Sequence, residues 1–148
     1  MPESAFEYLN SHSLLFLATA SASGAVHVAP MFYATEGKSI FFSAPEGSAT
    51  AANLKANPRA AVAVADPPGD WGQARGLQID GAVTELDGDA EAAAGALFQV
   101  KFPHLGDDAS HSHYWRLDAE DIRYVHNDES GSEQFETLGQ TWTREKVD

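Results

Sequence analysis

The stretch "IFFSAPEGSATAANLKANPRAAVAV" (Ile40–Val64) decides the fold, because it contains a strand, a turn, a helix and a further strand in close succession. Ser48 is a suitable N-cap for the helix, and its hydroxyl can accept a hydrogen bond from the first turn. Residues Ala51–Ala56 favour helix, and Asn57–Pro58 ends it. The apolar run Arg59–Ala65 then predicts a buried strand.

The start of this helix is suited to an anion, because its free N–H groups and its dipole both favour negative charge. A strong phosphate site would also have a cation there, yet Ala49 and Thr50 follow Ser48. Two hypotheses stand at this point: the stretch is a cofactor-phosphate site, or Ser48 simply caps a helix that begins with small residues.

The chain before this stretch predicts a helix and three strands joined by short turns, which is typical of an antiparallel meander. The elements are a short helix (Ser4–Ser11), the apolar strand "LLFLATA" (Leu14–Ala20), a hairpin turn (Ser21–Gly24), the strand "VHVAPMFYAT", a turn (Thr35–Lys38) and the strand "SIFFSA".

The chain after it predicts a long strand, a helix and closing strands. The elements are the loop "DPPGDWGQA", the strand Arg75–Leu86, the helix "GDAEAAAGALFQVKF" with Asp89 as its cap, the loop "FPHLGDDASHS", and one or two strands in "HYWRL" and "DIRYVHN". In Arg75–Leu86 the alternation places Leu77, Ile79 and Val83 on one face and Gly76, Gln78 and Asp80 on the other.

These elements predict a mainly β protein: a six-stranded antiparallel sheet curled into a split β-barrel, with two or three helices. We expect one domain over residues 1–148, with its core at about 13–127. The tail, residues 128–148, gives no firm prediction.

Composition excludes several classes of function. Nine Lys and Arg against 22 Asp and Glu give a net charge of −13, which is unsuited to nucleic acid. The chain has no cysteine, which excludes disulfides and thiolate chemistry. No apolar run is long enough to span a membrane, and the first residues lack a signal-peptide pattern. We therefore expect a cytoplasmic protein with no nucleic-acid or membrane partner.

The order of four stretches resembles the pyridoxamine 5′-phosphate oxidase-like split-barrel superfamily, and in particular a small bacterial subgroup of unassigned activity. The stretches are "LATASASGAVHVAPMFY" (Leu17–Tyr33), "IFFSAPEGSATAANLKANPRAAVAV" (Ile40–Val64), "GLQIDGAV" (Gly76–Val83) and "RLDAEDIRYVHN" (Arg116–Asn127). The resemblance implies a homodimer with FMN in a groove between the two subunits, and a small-molecule substrate.

The resemblance also implies which positions contact the cofactor. The expected cofactor-binding residues are His27, Ala29, Pro30, Met31, Ser43, Ser48, Thr50, Asn53, Gly76 and Gln78. The first four follow the flavin ring and ribityl chain, the next four surround its phosphate, and the last two reach the flavin from the other side. The resemblance identifies no catalytic acid, base or nucleophile in this chain.

The sequence departs from the family where the cofactor phosphate is held. Tightly binding members have Ser-Arg-Lys at the positions of Ser48, Ala49 and Thr50, and Gly76 replaces the flavin-facing glutamine of true pyridoxamine-phosphate oxidases. That oxidase activity is therefore not expected. The resemblance implies a flavin-dependent oxidoreductase, and the alternatives are a non-enzymatic module or a split barrel that binds haem or a deazaflavin.

Three histidines, His104, His111 and His113, raise the question of a metal site, since imidazole is a common ligand. Because "HLGDDASHSH" has the composition of a polar surface loop, we expect exposed histidines and no metal. Trp71, in a loop of Pro and Gly, could instead cover a flavin ring or a substrate.

Overall fold

The structure, a computed structural model, describes residues 3–66, 74–127, 133–137 and 140–148. Its elements are α1 (Glu3–Ser11), β1 (Leu14–Ala20), β2 (Val26–Glu36), β3 (Ser39–Ser43), α2 (Ala49–Ala56), β4 (Arg59–Ala65), β5 (Arg75–Glu85), α3 (Gly88–Lys101), a 3₁₀ segment (Pro103–His111), β6 (Tyr114–His126), β7 (Glu133–Thr137) and β8 (Gln140–Val147). None of the helices in these ranges is both long enough and apolar enough to cross a bilayer.

Strands β1–β6 form the predicted barrel. Their order is β3-β2-β1-β4-β5-β6, every pair is antiparallel, and a β3–β6 pairing closes the sheet on itself. The mainly β split-barrel prediction is therefore confirmed. Strands β7 and β8 lie in the tail, for which no structure was predicted, and form a hairpin that pairs with β6 through β8.

Period-two alternation directs one face of each barrel strand into the core. In β1, Leu15 and Leu17 are fully buried while Leu14 and Phe16 are exposed. In β5, Leu77, Ile79 and Val83 are buried as predicted, which confirms the assigned face of that strand. Helix α1 covers one end of the barrel, where the Tyr33 hydroxyl donates to the Leu9 carbonyl.

Helix α2 begins as its sequence predicts, because its cap is local. The Ser48 hydroxyl accepts from the Ala51 N–H at 3.1 Å, and the Asn57 N–H donates to the Asn53 carbonyl at the other end. The helix starts at Ala49, two residues before the predicted Ala51, since the cap fixes the first turn directly after Ser48.

Two sequence predictions differ from the structure, and the structure decides between the one or two closing strands that the sequence predicts. The cap of α3 is Asp87 and not Asp89, which lies in the first turn. The predicted loop after α3 forms a 3₁₀ segment kinked at Gly106, whose φ of 55° is open to glycine. The closing residues form one strand, β6, with a bulge opposite Asp80 and Gly81. The predicted position of Trp71 lies outside the described residues.

Candidate functional site

The first half of β2 has one paired edge and one open edge. Strand β3 pairs with β2 from Tyr33 to Glu36, whereas Val26–Phe32 pairs with β1 alone among the described residues. Side chains on both faces of this half are exposed or only partly buried. The strand therefore borders an open cleft, and this edge of β2, Val26–Phe32, is called the open edge below.

Backbone direction identifies which groups line the cleft. The Tyr33 N–H donates to the Ser13 carbonyl, towards the β1 side. Because backbone groups alternate along a strand, the polar groups of Val28, Pro30 and Phe32 face the open edge. Pro30, which has no N–H, thus lies where no ladder hydrogen bond is lost.

The middle of α2 contacts β1 at Thr19, the residue paired with His27. Thr19 is the register partner of His27 on β1, and its hydroxyl accepts from Asn53 Nδ2 at 3.1 Å. The first turn of α2 has no acidic residue. Of the predicted residues, Asn53 is thus linked to the strand position opposite His27.

Not every side chain predicted to surround the phosphate (Ser43, Ser48, Thr50 and Asn53) is available to a ligand. Thr50 is only 4% exposed, so its hydroxyl is not open to a ligand. The Ser48 hydroxyl already serves as the cap. Lys55 belongs to the last turn of the helix, and its Nζ lies 3.7 Å from Oε1 of Glu46, which precedes the helix. Arg59 pairs with Glu120 at 2.8 Å and does not replace the missing cations.

Met31 and Ser43 share a small pocket beside the open edge. The pocket has a volume of about 250 Å³ and is lined by Met31, Phe32, Ser43, Phe98, Leu105, Ser112 and Tyr114. Burial raises the pKa of Tyr114, whose hydroxyl donates to the Ala109 carbonyl at 2.6 Å. This wall is apolar and its phenol is neutral, so the pocket suits an aromatic or aliphatic group.

Gly76 and Gln78, the last two predicted residues, lie away from this cleft within one chain. Gln78 lines a groove of about 480 Å³ on the outside of the sheet, together with Phe16, Val28 and Arg144. Arg144 Nη1 donates to Gln78 Oε1 at 2.8 Å. Gly76 is buried against β4, where a Cβ would lie 2.9 Å from the Val64 carbonyl oxygen. The predicted site residues thus form two groups.

An apolar surface connects the two groups, and the sequence analysis did not predict it. We call it the outer face: the exposed apolar residues of β1, β2 and β4, namely Leu14, Phe16, Ala18, Val26, Val28, Pro30, Phe32, Ala61 and Ala63. Phe16 is 46% exposed and Val28 is 62% exposed. Contiguous apolar surface of this kind marks an interaction site. The signal in the sequence was that "LLFLATA" is apolar at almost every position, as in strands buried on both faces.

The three histidines do not assemble into one site. His104 and His111 are exposed, and within the described ranges neither belongs to a group of three potential metal ligands. The sequence predicts that His113 is an exposed surface residue, but its ring is held between the carboxylates of Glu91 and Glu85, at 2.6 and 2.7 Å. Burial opposes its charge, but hydrogen bonds to both carboxylates outweigh that effect and raise the pKa of His113.

The closed β1–β6 barrel, with an open strand edge beside a capped helix, defines the class of split-barrel proteins. Comparison with known proteins identifies the family. The family described as "Pyridoxamine 5'-phosphate oxidase" matches residues 1–126. The chain belongs to that family.

Solved structures share this fold at low sequence identity. HutZ from Vibrio cholerae, titled a heme storage protein, is 20% identical, with a TM-score of 0.70 over 79% of this chain and 88% of that one. The conserved hypothetical protein Rv2991 from Mycobacterium tuberculosis is 21% identical, with a TM-score of 0.73 and 84% of each chain covered. A FAD-binding protein from Mesorhizobium loti is 21% identical, with a TM-score of 0.66 over 80% of this chain and 87% of that one. A search of the curated proteins finds no match.

Proposed function

We propose that the chain forms a homodimer that binds FMN along the open edge of β2 and acts as a flavin-dependent oxidoreductase on a small molecule. The observation that carries the proposal is the open edge itself, whose His27 is paired with Thr19, the residue that accepts a hydrogen bond from Asn53 of α2. A strand edge without a ladder partner offers unpaired backbone groups to a flat polar ring, and a helix start offers N–H groups to a phosphate.

The phosphate end of the site fits FMN without a side-chain cation. The backbone N–H groups of Ala49 and Thr50, in the first turn of α2, are the groups that would hold the phosphate. A charge-assisted hydrogen bond contributes about 1.5–3 kcal/mol, so lacking the usual Arg and Lys weakens binding by about two to four orders of magnitude. We therefore expect FMN to bind reversibly and not to stay fully bound through purification.

The ring end of the site offers a flavin a partly apolar lining. His27, Ala29 and Met31 point to one side of β2, because they are the register partners of the inward-facing Thr19, Leu17 and Leu15. A bound flavin supplies the electron or hydride transfer. The chain's own residues bind and orient it, and the pocket beside Met31 and Ser43 excludes water from its apolar part.

The homodimer joins the two groups of predicted residues. Covering the outer face with a second copy removes its exposed apolar side chains from water, which favours association. Val28 belongs to the outer face and also lines the groove that contains Gln78. We expect packing of two copies through this face to bring Gln78 of one subunit towards the open edge of the other, whereas Gly76 is buried against β4 of its own chain.

Haem is the second candidate ligand, and a deazaflavin is a third. The similarity to HutZ, titled a heme storage protein, favours a non-enzymatic haem-binding role. His27 supplies an exposed imidazole on the open edge and is the residue that would ligate haem iron there. A deazaflavin has a different tail from FMN and does not need the same phosphate clamp.

The test is a titration of the purified protein with FMN, followed by visible absorbance and flavin fluorescence. Saturable binding of one FMN per chain supports the proposal. Ala49→Arg restores one clamp cation at an exposed position and should raise the affinity at least about tenfold. Ala52→Arg, equally exposed one turn further along α2, is the matched control and should change it little.

Three results contradict the flavin proposal. One is that a well-folded dimer does not bind FMN at FMN concentrations of about tens of micromolar, the order of magnitude expected for a weak cofactor site. Another is equal FMN affinity for wild type and Ala49→Arg. The third is tight haem binding that is lost in His27→Ala, which would establish the haem alternative. Binding of a deazaflavin without FMN would assign the same cleft to that cofactor.

A further inference from the structure

A cluster of potential metal ligands lies where the ends of β3, β5 and β6 meet. Glu46, Glu85 and His113 each direct one ligand atom to a common point, and these atoms lie within 4.8 Å of one another. Glu46 follows β3, Glu85 is the last residue of β5, and His113 immediately precedes β6.

Backbone hydrogen bonds hold the three elements together around His113. The Ala44 N–H donates to the His113 carbonyl at 3.2 Å, and the Leu86 N–H donates to the Tyr114 carbonyl at 3.1 Å. Glu85 is paired in register with Trp115. The ligand-bearing positions are thus fixed by the barrel before any ion arrives, which lowers the entropy cost of binding.

A fourth residue fixes the orientation of the imidazole. Glu91 Oε2 lies 2.6 Å from His113 Nδ1 and also accepts from the Tyr114 N–H at 3.1 Å. Because carboxylates accept, both ring nitrogens donate in the absence of metal, Nδ1 to Glu91 and Nε2 to Glu85 at 2.7 Å. A histidine held by a carboxylate through its other nitrogen is the usual arrangement at zinc sites.

We propose that Glu46, Glu85 and His113 bind one Zn²⁺ per chain, with Glu91 as the positioning residue for His113. One imidazole and two carboxylates are suitable zinc ligands, and three protein ligands leave a position for water. Zinc would replace the proton that Nε2 shares with Glu85. The sequence did not predict this set, since its members lie far apart in the chain and His113 was grouped with His104 and His111.

Tetrahedral zinc with bonds near 2.0–2.1 Å places its ligand atoms about 3.3 Å apart. Glu85 Oε2, now 2.7 Å from His113 Nε2, would have to move slightly away from it, and the carboxylate of Glu46 would have to adjust to the same centre. The side chain of Glu46 is 73% exposed and is the one that can move further. Its present partner is Lys55 at 3.7 Å, an exposed pair that competes little. Zinc would therefore tie the loop before α2 to the ends of β5 and β6.

The test is isothermal titration of ZnSO₄ into tag-free protein that has been dialysed against a chelator. We expect one Zn²⁺ per chain, loss of binding in His113→Gln, and at least about tenfold weaker binding in Glu46→Gln. His111→Gln is the matched control, because His111 is exposed in the same segment and should leave the affinity within about twofold.

Circular dichroism without metal checks that each variant is folded. Glu46→Gln is decisive if His113→Gln fails to fold, because Glu46 is exposed and its exchange does not disturb the core. The proposal is overturned if the wild type takes up no Zn²⁺, if Glu46→Gln binds as tightly as wild type, or if His111→Gln removes binding. None of these results depends on FMN.

Discussion

Replacing Gly81 by alanine tests the register of the barrel at its bulge. Gly81 lies in β5, opposite the point where β6 carries the extra residue Glu120. A Cβ at Gly81 would lie 2.0 Å from the carbonyl oxygen of Asp118 and 2.9 Å from its carbon. Both atoms belong to the backbone of the neighbouring strand, so no side-chain rotation relieves the overlap.

The expected cost follows from that overlap. A close carbon–oxygen contact across a sheet is about 3.3 Å, so the strands would have to separate by about 1.3 Å at this point. Overpacking costs about 1–3 kcal/mol, and each weakened ladder hydrogen bond adds about 1 kcal/mol. We expect Gly81→Ala to lower the free energy of unfolding by about 3 kcal/mol or more, and the Tm by about 6–12 °C.

The assay is thermal and urea unfolding followed by circular dichroism, at one fixed protein concentration so that association does not alter the comparison. Gly37→Ala is the control, since Gly37 has a φ of 61° but no atom within 4 Å of an added Cβ. It should lose only about 1–2 kcal/mol, from backbone strain. The register is refuted if Gly81→Ala is as stable as wild type or more stable than Gly37→Ala.

Three further predictions concern the surface, the cap and a buried amine. Val28→Arg places a charge on the outer face and should convert the proposed dimer to a monomer, as measured by light scattering. Val100→Arg, at an 82% exposed position of α3, is the control and should leave the dimer intact. A dimer that survives Val28→Arg would contradict the proposed interface. Ser48→Ala removes the cap of α2 and should cost about 1 kcal/mol of unfolding free energy by urea titration, while no loss would contradict the cap. Burial lowers the pKa of Lys101 from 10.5 to about 8. Above pH 8 the folded state therefore binds fewer protons than the unfolded state, so the free energy of unfolding should rise between about pH 8 and 9.5. Unfolding of Lys101→Met across that range should lack this rise; an identical pH dependence would exclude Lys101 as its source.

Local signals in the sequence were sufficient to predict the barrel strands and α2. The alternation in Arg75–Leu86 requires only its own side chains, and Ser48 caps a helix with groups two or three residues away. The misplaced cap of α3 has a similar local explanation. Asp87 and Asp89 are both acidic residues at the start of that helix, and composition does not distinguish the cap from the first turn.

Long-range pairing produced the features that the sequence did not predict. The bulge opposite Gly81 depends on how β5 and β6 meet, and the open edge depends on β3 being shorter than β2. The outer face is a different case. An apolar residue such as Phe16 is compatible with burial in the core and with burial against a second molecule, and hydrophobicity alone does not separate the two.

The position of Pro30 has a consequence for how molecules of this protein meet. An unpaired strand edge is a template on which another chain can add a strand, and such additions propagate into aggregates. Pro30 supplies no N–H at the middle of the open edge, so an incoming strand would lose a hydrogen bond where it needs continuity. The proline therefore disfavours the addition of a strand at this edge, which is the condition that both the proposed ligand site and the proposed interface through the outer face require.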